Sequence, residues 1–215
     1  MIRHVKVLGL ALVAVFALGA TLASGASAFS FHFNSKSPDG HTIVKGTQIG
    51  IHKITTTAGE ITCEEASVTG TMTETTATDI TLTPTYSKCH INFFGSKVSA
   101  TINMNGCQYT LTSHQTVGGA TLAANKHLVN CTKAMEVVAA GCTIKINTGQ
   151  TIGGLTIANG AGDIVVTTNS TGIAYSHSGF TCGTGSGTTG TYKGETTLKG
   201  SDTEGKQVTL SYDQV

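Results

Sequence analysis

The residues of this chain with the greatest chemical potential are its six cysteines, Cys63, Cys89, Cys107, Cys131, Cys142 and Cys182. Thiolates bind metals or exchange disulfides when closely spaced or held at a lowered pKa. No C-x-x-C occurs, the spacings match no zinc site, and Cys107 and Cys142 fall on the apolar faces of alternating segments. Three structural disulfides are therefore expected, in an oxidising compartment. An internal echo narrows the pairings. Gly106-Cys107-Gln108-Tyr109-Thr110-Leu111 and Gly141-Cys142-Thr143-Ile144-Lys145-Ile146 share the pattern G-C-x-φ-x-φ, each preceded by a single cysteine. Two modules closing their own loops give Cys89–Cys107 and Cys131–Cys142, with Cys63–Cys182 as a long staple.

Other chemistry finds weaker footing. No G-x-S-x-G serine motif occurs, and Gly183-Thr184-Gly185-Ser186-Gly187 has the wrong spacing. In Ser176-His177-Ser178 a strand sends the histidine to the face opposite both serines. Glu64-Glu65 is the only adjacent acidic pair, and strand geometry separates its carboxylates where a glycosidase needs two facing one sugar. His32, His41, His52, His90, His114, His127 and His177 form no H-x-H or H-x-x-x-H unit. Asn159-Gly160-Ala161-Gly162-Asp163 and Asp202-Thr203-Glu204-Gly205 have a faint likeness to calcium loops but read adequately as turns. Catalytic residues, cofactor and metal are each expected to be none. Asn130-Cys131-Thr132 and Asn169-Ser170-Thr171 fit the N-glycosylation pattern, which is common by chance in a threonine-rich chain.

The elements that position these residues read as strands. In Val98 to Asn105 every even position is apolar and every odd one polar, so one face is buried and one wet. Asn105-Gly106 is a strong turn signal, after which Cys107, Tyr109 and Leu111 share a face. Ile80, Leu82 and Tyr86 share another, and Pro84 marks that strand as an edge or a bulge. Cys142, Ile144 and Ile146 alternate with Thr143, Lys145 and Asn147. Gln48 to Thr57, Glu60 to Thr73, Ile164 to Thr168, Gly172 to Ser176, Tyr192 to Leu198 and Gln207 to Tyr212 are further expected strands. Residues 120–129 are ambiguous between strand and helical turn. The expected fold is all-β, a disulfide-stapled β-sandwich, with a β-barrel or β-solenoid as alternatives. His90 to Lys97 carries adjacent aromatics, so Phe93 and Phe94 are candidate partner contacts: an extended segment turns one of them away from a one-sided core.

Met1 to Ala28 reads as a secretory signal peptide, with basic Arg3 and Lys6, an apolar run from Val7 to Ala23 and the small-residue site Ala26-Ser27-Ala28. A single all-β domain, 29–215, is expected to follow. Removing Arg3 and Lys6 from thirteen basic residues leaves eleven lysines against twelve acids, a net charge near −1. Without arginine or a basic block, nucleic acid is an improbable partner. Abundant threonine and glycine suit strands and turns.

The arrangement TPTYSKC, NMNGCQYT, the second C…GC module and the late FTCGTG…GTYKGE resembles a family of uncharacterised secreted, disulfide-bonded, β-rich proteins of actinobacteria. The resemblance covers nearly all of the chain after residue 28. It implies export and a disulfide-bonded β fold, and brings no activity, ligand or cofactor with it. The functional expectation is a secreted, non-catalytic structural or adhesive protein at or beyond the cell envelope. The expected contacts are to the envelope or to copies of itself, without membrane insertion. The alternatives are an extracellular binding module for a glycan or small ligand, a secreted hydrolase, and an outer-membrane barrel.

Overall fold

A computed structural model describes residues 28–29, 31–93, 96–112, 116–117 and 124–214 of the chain. Among them there are strands and turns but no helix. The strands are β1 (Ala28–Phe29), β2 (Phe31–Ser35), β3 (Thr42–Thr56), β4 (Gly59–Met72), β5 (Thr76–Ala77) and β6 (Asp79–Phe93). Then come β7 (Ser96–Asn103), β8 (Gln108–Thr112), β9 (Thr116–Val117), β10 (Ala124–Val129), β11 (Met135–Ala139) and β12 (Cys142–Ile146). The last are β13 (Thr151–Asn159), β14 (Ile164–Gly179), β15 (Gly183–Ser201), β16 (Gln207–Val208) and β17 (Leu210–Gln214). The ambiguous stretch resolves as strand from Ala124 on, while 120–123 and the segment Met1 to Ser27 lie outside the described residues.

The ladder closes on itself. β3, β4 and β6 pair in sequence, β14 pairs with β15, and β15 returns to pair with β3. Between β6 and β14 the wall has two tiers, β7-β11-β12 and β8-β10-β13. The result is an antiparallel, eight-stave up-and-down barrel in which five staves are single long strands and three are built from two short strands end to end. This fits the barrel alternative and not the two-sheet sandwich. Local alternation is the same in both, and only the β15–β3 pairing, from Thr191↔Thr55 to Ser201↔Ile43, decides closure.

Between the tiers runs a belt of irregularity. In β4, Ile61 and Cys63 face the lumen, but past the exposed pair Glu64-Glu65 the inward positions are Val68 and Met72. β6 changes phase at Ser87-Lys88, with Tyr86 inward before it and Cys89 after. β14 does so at Thr171-Gly172, and β3 bulges over 48–51 against β4 and over 50–52 against β15. One extra residue flips every later side chain to the other face, so these bulges must occur together to keep one apolar lumen. Pro84 lies where β6 has no partner on its outer side, between the end of the β8 ladder at Leu82 and the start of the β7 ladder at Cys89. Amide side chains fill several of the breaks. Gln150 donates to Ala174 O (3.0 Å) and accepts from Ala174 N (2.8 Å), standing in for backbone between β12 and β13. Asn105 reaches Ala134 O at 2.7 Å, and Gln48 reaches the backbone carbonyls of Gly50 and Glu64.

Asn105-Gly106 is a turn, with both residues at positive φ, but it does not reverse the chain. β7 and β8 run the same way along β6, so the turn is a step within one stave. Ala140-Gly141, also both at positive φ, is a true hairpin joining β11 and β12. The sequence echo therefore reports a shared local geometry that delivers an inward cysteine, and two different topologies.

That difference corrects the disulfide pairing. The bonds are Cys63–Cys89, Cys107–Cys131 and Cys142–Cys182, and no cysteine is free. Cys63 and Cys89 are direct cross-strand partners. Cys107 bonds to the break in the adjacent stave, and Cys142 to the β14–β15 tip. The expected Cys89–Cys107 fails on distance. Cys89 faces Ala100 of β7, and Cys107 continues the same stave seven residues further on, ~20 Å away at ~3.3 Å per residue. Cys131 and Cys142 are likewise separated by the length of β11 and a turn.

Candidate functional site

The lumen is the first place to look in a barrel, and here it is filled. Its inner wall along β15 is glycine where the neighbouring staves carry rings. A Cβ at Gly185 would come within 2.7 Å of the His177 ring, one at Gly187 within 2.8 Å of the Tyr175 hydroxyl, and one at Gly194 within 2.8 Å of the His52 ring. The glycine run of 183–187 is thus a packing surface and not a nucleophile or phosphate loop. Tyr175 is buried and takes its place by hydrogen-bonding Thr57, with the Thr57 N–H donating to its hydroxyl at 3.0 Å.

At the waist of the lumen sits a polar chain. His52 is 5% exposed, and its Nε2 lies 3.0 Å from the backbone carbonyl of Glu195, so Nε2 carries the proton and Nδ1 accepts. The Tyr192 hydroxyl donates to that Nδ1 at 2.6 Å. Tyr86 lies 3.3 Å from Tyr192 and 3.4 Å from Tyr109, completing a run of hydroxyls Tyr109–Tyr86–Tyr192 that ends on the histidine. Burial pushes the Tyr86, Tyr109 and Tyr192 phenols well above their usual range, so all three stay protonated at neutral pH. Beside them are voids of about 30 Å³ and 20 Å³. A lone water fits such spaces, whereas small-molecule pockets are roughly tenfold larger. The chain fastens staves together, and the described residues leave no room beside it for a substrate.

The larger concavities are on the outside. One, of about 690 Å³, is lined by Ile51, Lys53, Glu60, Asn169, Thr191 and Lys193, among others, on β3, β4, β14 and β15. Lys53 pairs with Glu60 at 3.0 Å. The β3 bulge leaves Ile49 and Ile51 exposed at 45% and 58%.

The residues singled out in the sequence are dispersed. His177 faces the lumen, stacked near Tyr175, while Ser178 is exposed on the other face. Glu64 lies 3.9 Å from Lys97, and Glu65 binds Lys88 and Ser87, which hold its carboxyl below the usual range. Both acids are exposed and oppose no common point. The two turns with a calcium flavour are used internally. Asn159 brackets the Tyr212 backbone at 2.7 and 3.0 Å, and Asp202 accepts from Glu204 N and Lys206 N. No group of three metal-ligating side chains occurs among the described residues. Phe93 ends β6, and its side chain and Phe94 lie outside the described residues. Among the described residues the fully exposed aromatic is Phe180, on the β14–β15 tip beside Cys182, where alternation gave no signal for it. Compared with family models, with curated proteins and with solved structures, the chain matches none.

Proposed function

We propose that this is a secreted, non-catalytic structural or adhesive protein that works at or beyond the cell envelope through the outer wall of its barrel. The observation that carries this reading is the filled lumen, whose voids of about 30 Å³ and 20 Å³ give a ligand no room. Three disulfides suit an oxidising compartment and a durable exported scaffold. Apolar side chains point in, and the exposed large ones among the described residues are four: Ile49, Ile51, Val138 and Phe180. A transmembrane barrel has the reverse arrangement, with an apolar outer band, so the pattern favours a wall that meets water. The resemblance to exported actinobacterial proteins points the same way. Of the alternatives, a glycan-binding module is compatible with the same outer wall, whereas a small-ligand carrier would need the lumen.

The test is co-sedimentation of the protein, purified from culture medium, with envelope fragments of the producing cell, alongside fluorophosphonate labelling. Saturable attachment without labelling is expected. Stoichiometric labelling of a serine, or no attachment to envelope and no self-association, would overturn the reading.

A further inference from the structure

On the barrel strands, lysines with described side chains generally meet a carboxylate. Lys145 lies 3.2 Å from Glu136, Lys97 lies 3.9 Å from Glu64, and Lys88 meets Glu65. The β3–β15 seam breaks this rule twice. Lys53 stands directly opposite Lys193, and Lys45 directly opposite Lys199. Like charges facing each other across a ladder are destabilising. Lys53 has Glu60, but Lys193, Lys45 and Lys199 have no ion pair or hydrogen bond among the described residues. The carboxylate nearest in sequence, Glu195, accepts from Thr167 at 3.2 Å. The two lysine pairs are ~20 Å apart along β15, at ~3.3 Å per residue. Between them Thr47 faces Thr197 and exposed Ile49 faces Glu195, and beyond Lys193 Thr55 faces Thr191. Outward hydroxyls thus alternate with the lysines, and a single carboxylate, engaged by Thr167, lies among them. The 690 Å³ groove opens at the Lys53–Lys193 end.

We propose that this seam binds a linear polysaccharide bearing carboxylates, laid along β3 and β15, with the lysine pairs meeting the carboxylates and the threonines the sugar hydroxyls. The inference rests on the outer-wall reading above and names its partner. Spaced cations suit a polymer with spaced anions better than one compact anion. Without arginine forks, or an aromatic platform on the seam, recognition is by point charge and hydroxyl, which makes it salt-sensitive. A carboxylated sugar chain supplies both kinds of group.

The experiment measures binding of polygalacturonate, neutral dextran and a single-stranded oligonucleotide to the full secreted chain and to the double variant Lys193→Gln/Lys199→Gln. Lys133→Gln, an exposed lysine away from the seam, serves as control. The expected result is saturable polygalacturonate binding that weakens steeply up to about 0.5 M salt, with none to dextran. The double variant should lose at least about tenfold in affinity, the control none, and the variant's melting temperature should hold or rise as the repulsion is relieved. Equal affinity of the double variant, equal binding of the oligonucleotide, or a fall in melting temperature would each overturn the assignment. Envelope attachment that survives in the double variant would sink the seam and leave the adhesive reading standing. Failure of the unaltered protein to attach sinks that reading itself.

Discussion

The two tiers of the barrel are closed by different means. In the tier bounded by the tight hairpins, the core is built from Ile61, Ile91, Val137, Ile144 and Tyr175 with four buried cysteines, and all three disulfides belong to it or to the waist. The other tier has no disulfide. Its core of Val44, Met72, Ile80, Ile164 and Leu198 is covered by a three-stranded lid, β17-β2-β5, made largely from the two ends of the described chain. Phe33 and Tyr212 of the lid lie with ring centroids 4.9 Å apart, and Leu210 is fully buried. Backbone bonds from Lys36 N to Thr209 O and from Leu210 N to Gly162 O, with the Asn159 bracket, hold the lid down. Short hairpins cannot lay a cap across a barrel mouth, so that end is tied covalently. Chain ends can cross the mouth, and there packing suffices. The lid thus crosses one mouth, while at the other end the disulfides join neighbouring staves and a hairpin tip.

The largest expected effect acts on the waist, which both tiers share. Tyr86, Tyr109 and Tyr192 keep their protons in the folded state far above the pH at which an unfolded phenol ionises, near 10. Above that pH the unfolded chain binds fewer protons than the folded one, so stability falls as pH rises and is unaffected by these groups below it. Three such phenols give a slope of up to ~4 kcal/mol per pH unit. Absorbance of tyrosinate and circular dichroism should therefore change together in alkali. Ionisation of all five tyrosines while the fold persists would contradict the waist.

Within the lid, Phe33→Ala should cost ~3–5 kcal/mol, as for a fully buried ring, and hydrogen exchange should rise first in β2, β17 and β5. Equal loss of protection in β11 and β12 would mean that the tiers are not separable. At the other end, Cys142→Ser with Cys182→Ser opens a 40-residue loop and should cost about 4 kcal/mol on the chain-entropy model. Denaturant melts that leave this variant unchanged would show that the hairpin tier closes without its covalent tie. A smaller change, Tyr192→Phe, leaves the Nδ1 acceptor of His52 without its donor and should cost ~1–3 kcal/mol. Loss below ~0.5 kcal/mol in calorimetry would mean that the hydroxyl chain is incidental.

Much of the inner wall was legible in the sequence, because alternation is a local property. Val98, Ala100, Ile102 and Met104 face in, as do Ile80, Leu82 and Tyr86, and Cys142, Ile144 and Ile146. What escaped depends on contacts between distant staves. The phase reversals at Glu64-Glu65 and Ser87-Lys88 look like ordinary strand until they are set side by side in the ladder. The partner of Cys107 depends on which stave lies next to it, and Asn105-Gly106 reads the same whether the chain reverses or steps. Glycine at alternate positions 185 and 187 was a usable signal for neighbouring rings, since a strand that omits side chains on one face leaves room for those of the next stave, whereas Gly183 serves the turn at positive φ. The lysine seam needs the register of β3 against β15, more than a hundred residues apart, and no local pattern encodes it.

If the outer wall is the working surface, as proposed, the filled lumen takes up no ligand. Titration of the native, oxidised protein with an apolar fluorophore and with a long-chain fatty acid at neutral pH tests it directly. No saturable binding is expected, since the lumen voids beside the described residues are about 30 Å³ and 20 Å³. One-to-one saturable binding, displaced by competing fatty acid and lost when Leu198→Trp narrows the lumen, would make the barrel a carrier and contradict the account.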